Sequence, residues 1–380
     1  MRTFILSSTV AFLSSCATPL KEEARVFELR RAWSRAAVRS PISGNRKLNR
    51  MTPIRVGELV IAGNGHDGVS AWKANTGRLK WHLPVRNGVE GGAAVIRDII
   101  FFGGNDGLFY SVTAVDGRIL WTFDAKAEHL SEPTLDTSRG VVFFLSSQNV
   151  VYALSAESGK QLWLYSHQDT SNFSVRGGSK PVLHNDVLYV GFSDGSFTAL
   201  SAQSGGVKWE VKLNRNRRFR DIDARAYVDG DRLFVSGFDD KLYCLNRDSG
   251  AVIWTVDRGG HSGVTAHEDL LFYPTTDGQV LALDRKSGNV RWSYSLSSGI
   301  ATSVGIYKGF VVFGESSGAL RFLRLEDGKP VYSFFPGRGI LSEPRLVPEE
   351  NRIYFLSGEA NLYALDAGYV RRRWFDYLGW

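Results

Sequence analysis

Seven times along this 380-residue chain an apolar stretch runs into a tight turn closing on a glycine and returns as a second stretch. A tryptophan or tyrosine stands four residues past each of those glycines. The clearest instance runs from Val280 to Trp292: a strand, a tight turn closing on Ser287 and Gly288, then a second strand carrying Trp292. A short turn with a bulge needs one residue at positive φ, which glycine adopts without a Cβ clash. The indole then offers a broad flat surface to cover a neighbouring sheet. The phrase recurs at Gly77/Trp81, Gly117/Trp121, Gly159/Trp163, Gly205/Trp209 and Gly250/Trp254, and once with tyrosine at Gly328/Tyr332. Successive glycines stand 40, 42, 46, 45, 38 and 40 residues apart. A period of about 40–45 residues with several strands per unit marks a β-propeller.

A second count fixes the number of blades. Each unit has an inner hairpin before its Trp strand, and eight such hairpins are legible: 62–72, 103–112, 145–154, 191–200, 236–245, 274–283, 314–323 and 356–365. Seven Trp or Tyr strands serve eight hairpins, so the orphan Trp33 is expected to supply the eighth outer strand and close the ring. Ring closure removes the exposed sheet edges that invite aggregation. The alternative is Trp374, whose spacing from Gly368 is six rather than four. Seven of the eight hairpins share a small residue between larger ones: Ala71, Ser111, Ala153, Ala199, Cys244, Ala282 and Ala364, with Phe322 as the exception. Strand alternation puts these small side chains on one face, where adjacent blades can approach closely. Cys244 therefore reads as a buried small hydrophobe.

The chain begins with a short apolar run, Phe4–Leu13, behind Arg2, too short to span a bilayer as a mature helix. It ends at Leu13-Ser-Ser-Cys16, which resembles the lipobox of bacterial lipoproteins; the alternative is cleavage near Ser15 with an incidental cysteine. The expected organisation is a signal peptide at 1–15, a lipidated Cys16 and tether at 16–27, an eight-bladed all-β propeller at 28–368 and a tail at 369–380. By the sorting rules of such lipoproteins, Ala17 rather than aspartate points to the outer membrane.

Several local matches to catalytic motifs fall in hairpin turns. Gly63-Asn-Gly65-His-Asp-Gly68 fits G-x-G-x-x-G, but a dinucleotide site needs a following helix, and here a strand returns. Gly191-Phe-Ser193-Asp-Gly195 and Gly314-Glu-Ser316-Ser-Gly318 fit G-x-S-x-G without the strand-to-helix elbow that the motif requires. The 7 histidines show no metal-ligand spacing. No metal, no catalytic residue and no cofactor are expected.

The two longest repeat intervals contain two long links, at about 168–180 and 214–225, which flank blade four and should share one rim. Long loops on a rigid scaffold are usual places for recognition. Phe173, Val175 and Arg176 in the first combine apolar anchors with a planar charged fork. Asp221 and Asp223 in the second are suited to orient that arginine or to receive a partner's cation; equally, the three charges form a structural clip between the loops. Arg215, Arg217, Arg218 and Arg220 add basic contacts beside them. The formal net charge of +7, one less once Arg2 is removed with the signal, favours an acidic partner surface or anionic lipid. Nucleic acid is not expected in an exported protein.

The repeat, A-x-D-x-x-[ST]-G-x-x-x-W in general form, resembles the PQQ-like propeller repeat. In quinoprotein dehydrogenases that resemblance would imply a bound quinone, calcium and redox chemistry, but those enzymes usually carry a vicinal cysteine pair, and the two cysteines here are Cys16 and Cys244. With the lipobox-like start and the orphan Trp strand, the chain resembles the BamB family, the lipoprotein subunits of the outer-membrane β-barrel assembly machine. That resemblance implies a non-catalytic scaffold, lipid-anchored to the outer membrane and facing the periplasm. In that family one loop carries apolar-x-apolar-Arg-Gly and another Asp-x-Asp, and together they bind a periplasmic POTRA domain of BamA. Phe173-Ser-Val-Arg-Gly177 and Asp221-Ile-Asp223 occupy those places, with Phe and Val where leucines are familiar. Unfolded outer-membrane proteins are the expected clients, held by backbone pairing to an edge strand or rim. The alternatives are a PQQ-dependent dehydrogenase-like quinoprotein and a lipoprotein binding cell-wall or lipid polyanions.

Overall fold

The computed structural model describes residues 25–39, 49–129, 131–168, 179–213, 220–238 and 241–371. Eight four-stranded antiparallel sheets follow one another, numbered here from the first complete blade. Blade one is β2 (Ile54–Val56), β3 (Leu59–Asn64), β4 (Gly68–Lys73) and β5 (Leu79–Pro84), and this four-strand unit repeats through blade seven, ending at β29 (Pro330–Phe334). Blade eight takes β30 (Arg345–Val347), β31 (Arg352–Leu356) and β32 (Asn361–Arg371) from the C-terminal end and β1 (Arg25–Ala36) from the N-terminal end. Trp33 on β1 thus holds the outer position of the last blade; Trp374 lies outside the described residues.

The chain divides into two compact units, Leu29–Gly368 and a terminal unit of which residues 25–28 and 369–371 are described. Two strand boundaries differ from the sequence reading. β1 begins at Arg25, inside the stretch assigned to the tether, and within the terminal unit Phe27 is buried with its ring edge-on to Tyr369 at 5.3 Å. Gly368 does not end the last strand, which continues to Arg371.

Apolar clusters lie between consecutive blades. Ile61, Val69 and Ala71 of blade one pack with Ile100, Phe102 and Val112 of blade two, and Phe109 of blade two stacks on Phe144 of blade three at 4.0 Å. Strand alternation sends successive side chains to opposite faces of a blade, so each inner strand feeds two such clusters. Each fully buried Val, Leu, Ile or Phe contributes about 1.5–3 kcal/mol relative to exposure.

The Gly–Trp phrase is the joint between blades. Gly288 has φ +76, and its amide donates to the Asp284 carbonyl at 2.8 Å, closing the turn. A Cβ there would lie 2.8 Å from Trp254 of the preceding blade, so glycine is required twice over. The other Trp rings lie on the next blade's turn in the same way, ending with Trp33 against Gly77. The indole N–H also reaches across: Trp33 donates to Ala74 O and Trp81 to Ala114 O, both at 2.8 Å. Register explains the small residues. Ala71 pairs with Trp81, Ser111 with Trp121, Ala153 with Trp163, Ala199 with Trp209, Cys244 with Trp254 and Ala282 with Trp292. Each leaves room for the indole opposite. Phe322 breaks the rule and pairs with Tyr332, so the larger residue faces the smaller ring. Cys244 is fully buried and free, and burial pushes its thiol up to about 11.

The motif-like stretches are turns. Gly63–Gly68 joins β3 to β4, and Asn64 Oδ1 accepts from the His66 amide at 2.9 Å and the Asp67 amide at 3.0 Å. Gly191–Gly195 and Gly314–Gly318 bridge the corresponding strands of blades four and seven.

Candidate partner interface

The innermost strand of each blade sets a common register. Ile54, Ala94, Thr134, Val182, Tyr227, Thr265, Gly305 and Arg345 each pair with the central residue of the next strand. Two residues before them, on the links that enter the blades, stand Thr52, Gly92, Glu132, Lys180, Arg225, Gly263, Ser303 and Glu343. All eight line one cavity of about 410 Å³ on the axis. Every blade therefore contributes one residue to the ring, and only four of them are charged. Lys180 Nζ contacts Glu132 Oε1 at 2.5 Å. Burial raises the Glu343 carboxyl, with the charge of Arg225 opposing.

One layer further along the links, the same cavity is lined by Arg50, Glu90, Asp223 and His261. Asp223 is pushed up to about 7 by burial and by the nearby charge of Asp221, with Arg50 opposing. His261 is lowered to about 4 by burial and by Arg50. Removing a charge from water disfavours the ionised form of either group, which moves the acid up and the base down.

The link between β17 (Val207–Lys212) and β18 (Tyr227–Asp229) is stitched to both neighbouring blades. The Ile222 amide donates to Phe192 O of blade four at 3.2 Å, and Asp221 O accepts from the Phe238 amide of blade five at 3.1 Å. Ile222 is fully buried over Gly191, where a Cβ would lie 2.3 Å from Ile222 O. Asp221 is fully buried as well, while Asp223 faces the axial cavity. The two side chains differ in access but stay close enough for the charge of Asp221 to raise Asp223.

The link after blade three is anchored at both ends. His167 Nε2 lies 3.2 Å from Asp194 Oδ1, its ring stacked on Phe192 at 4.3 Å, and Lys212 Nζ contacts Asp194 Oδ2 at 2.5 Å. Against the burial that opposes it, hydrogen bonding from His167 and Lys212 holds the Asp194 carboxyl well below the usual carboxylate range. At the other end Ser179 Oγ donates to Gly191 O and accepts from the Gly191 amide, both at 2.9 Å. Both ends are thus fastened to blade four, the blade that also holds Ile222. Phe173, Val175, Arg176, Arg215, Arg217 and Arg218 lie outside the described residues, as does Cys16; Arg220 is half-buried. The axial ring and the His167–Asp194–Lys212 group escaped sequence reading. The ring's signal is a fixed offset from an innermost strand of three or four residues, which carries no recognisable phrase of its own.

An eight-bladed ring of PQQ-like repeats, with regular joints outside and link residues that differ from blade to blade around the axis, defines a class of propeller. A family model described as outer membrane protein assembly factor BamB matches residues 65–294 and 239–377, and the chain belongs to that family. A relative named outer membrane protein assembly factor BamB, from Salmonella typhimurium, is 30% identical over 316 residues, covering 81% of this chain and 79% of its own. Among solved structures, BamB from Moraxella catarrhalis has a TM-score of 0.74 at 18% identity and covers 89% of this chain and all of its own. The fold alone is shared with a europium-containing methanol dehydrogenase, at TM-score 0.73 and 13% identity over 89% of this chain and 93% of that one.

Proposed function

We propose that the chain is a non-catalytic scaffold in the assembly of outer-membrane β-barrel proteins. The 1–15 segment is removed as a signal peptide, Cys16 is lipidated, and the propeller faces the periplasm on a short tether. The links after blades three and four bind a POTRA domain of a BamA-like barrel protein through Phe173, Val175, Arg176 and Asp223, with Asp221 setting the second link's shape. Arg215, Arg217, Arg218 and Arg220 add basic contacts, and unfolded barrel proteins are the clients.

The observation that carries this reading is the fastening of both links to blade four, through His167, Ser179 and Ile222, in a member of the BamB family. A loop whose ends are fixed loses less entropy on binding than one that is free. The shared fold of a methanol dehydrogenase does not decide between scaffold and enzyme, because fold does not imply function. The chain's own cysteines, 16 and 244, are not vicinal, and its catalytic-looking motifs are hairpin turns. The test is affinity purification of the tagged, full-length protein from membranes. A POTRA-containing barrel protein co-elutes if the reading is right; recovery of the propeller without one, from wild-type membranes, counts against it.

A further inference from the structure

A second axial cavity, of about 650 Å³, shares Thr52, Glu132, Lys180 and Arg225 with the first and is walled beyond them by the innermost strands. Its charged lining is unbalanced. Arg55, Lys180, Arg225 and Arg345 face it, against Glu132 alone. Lys180 is engaged by Glu132 at 2.5 Å, and Arg55 by Glu350 at 2.8 Å. Arg225 and Arg345 are exposed to the cavity and make no ion pair among the described residues.

Both guanidiniums are solvent-exposed, and with only Glu132 in this lining and Glu343 beside Arg225 to oppose them they leave a net positive concave site, which attracts an anion. Arg225 belongs to blade five and Arg345 to blade eight, so they approach the axis from well-separated directions around the ring. A planar carboxylate presents its two oxygens to one fork, whereas a tetrahedral phosphate offers oxygens toward both. The volume lies in the range of small-molecule sites, and Ile54, Val95, Leu135 and Val182 provide apolar wall beside the charges.

We propose that this cavity binds a small phosphate monoester, its dianionic head held between Arg225 and Arg345 and its carbon portion against the apolar wall. The chemistry suits a glycerophosphate headgroup and a free sugar-like phosphate alike. Arg225 ends the link after blade four, but Asp223 does not line this cavity, and the proposal does not depend on the scaffold reading.

Calorimetric titration of the mature protein with sn-glycerol 3-phosphate, inorganic phosphate and succinate tests it. Saturable one-site binding of sn-glycerol 3-phosphate is expected, weakened about tenfold or more by Arg225→Gln and by Arg345→Gln, as for loss of a charged hydrogen bond. Weaker inorganic phosphate binding with the same sensitivity supports recognition through the head with a contribution from the apolar wall; equal affinity for the two overturns the monoester assignment. Unfolding midpoints without ligand should be unchanged or slightly raised, because neither arginine has an ion pair to lose and each substitution removes one of several like charges from the site. If a Gln variant fails to fold, Arg345→Lys keeps the charge, removes the fork and should still weaken binding. Absence of saturable binding, binding indifferent to both arginines, or succinate binding as tightly as the phosphate ester overturns the proposal.

Discussion

The joints between blades and the links around the axis are built on opposite rules. At the joints the same arrangement returns from blade to blade: positive-φ glycine, indole laid across it, small residue opposite. Around the axis, residues at one register position range from Gly92 and Gly263 to Glu132, Lys180 and Arg225. What repeats serves closure of the ring, and a change there is felt as lost stability. What varies is free of that duty, so specific recognition is sought among the links.

The largest expected effect is at the joint that closes the ring. Trp33→Ala removes a buried indole and its hydrogen bond to Ala74 O, and should cost about 3–5 kcal/mol in denaturant unfolding. Proteolysis should then cut first near β1. An unchanged midpoint would mean that β1 is not what holds blade eight.

Next comes a group where a link enters the core. His129 is buried, edge-on to the stacked rings of Phe109 and Phe144, and burial lowers it to about 4. The unfolded chain, with an ordinary histidine near 6.5, binds more protons between those values, so stability should fall as pH drops from about 6.5 to 4, by up to about 3 kcal/mol. His129→Leu should flatten that slope. Asp223 has the opposite sign: its folded value near 7 lies above an unfolded value of about 3.8, so its cost grows as pH rises through that window. Asp223→Asn should therefore raise stability at pH 8 and leave it unchanged at pH 3. Denaturant curves at four pH values separate the two groups.

A smaller effect distinguishes crowding from backbone strain. Gly288→Ala meets both a positive φ and Trp254, and should cost about 1–3 kcal/mol. Gly309→Ala has φ +86 with nothing within 4 Å, and should cost about 1 kcal/mol. Equal costs would show that the indole contact adds nothing to the joint.

The contrast also explains what was legible in the sequence. Blade number and the closing role of Trp33 follow from the joints, because a repeated packing solution leaves a repeated phrase. The Phe322/Tyr332 exception was visible as an irregularity, but only the register shows that the two residues face each other. The start of β1 was hidden because Arg25-Val-Phe-Glu mixes charge with apolar residues, as an edge strand does. The axial ring was not legible: its eight residues, four of them charged, are separated by some forty residues and lie beside strands of only three or four. Asp221 illustrates a further limit: the two-residue spacing says nothing of burial, and the fold makes Asp221 fully buried while Asp223 lines the axial cavity.

The central claim, that variable links rather than repeated joints hold the partner, is tested most directly by one substitution. The affinity of Arg176→Glu for the isolated POTRA domains of the co-eluting barrel protein should be measured beside its unfolding midpoint. Loss of about 2–5 kcal/mol of binding, as for one side of a broken interfacial charge pair, with stability within about 0.5 kcal/mol of wild type, is the predicted result. Undiminished binding by a well-folded Arg176→Glu protein would contradict it.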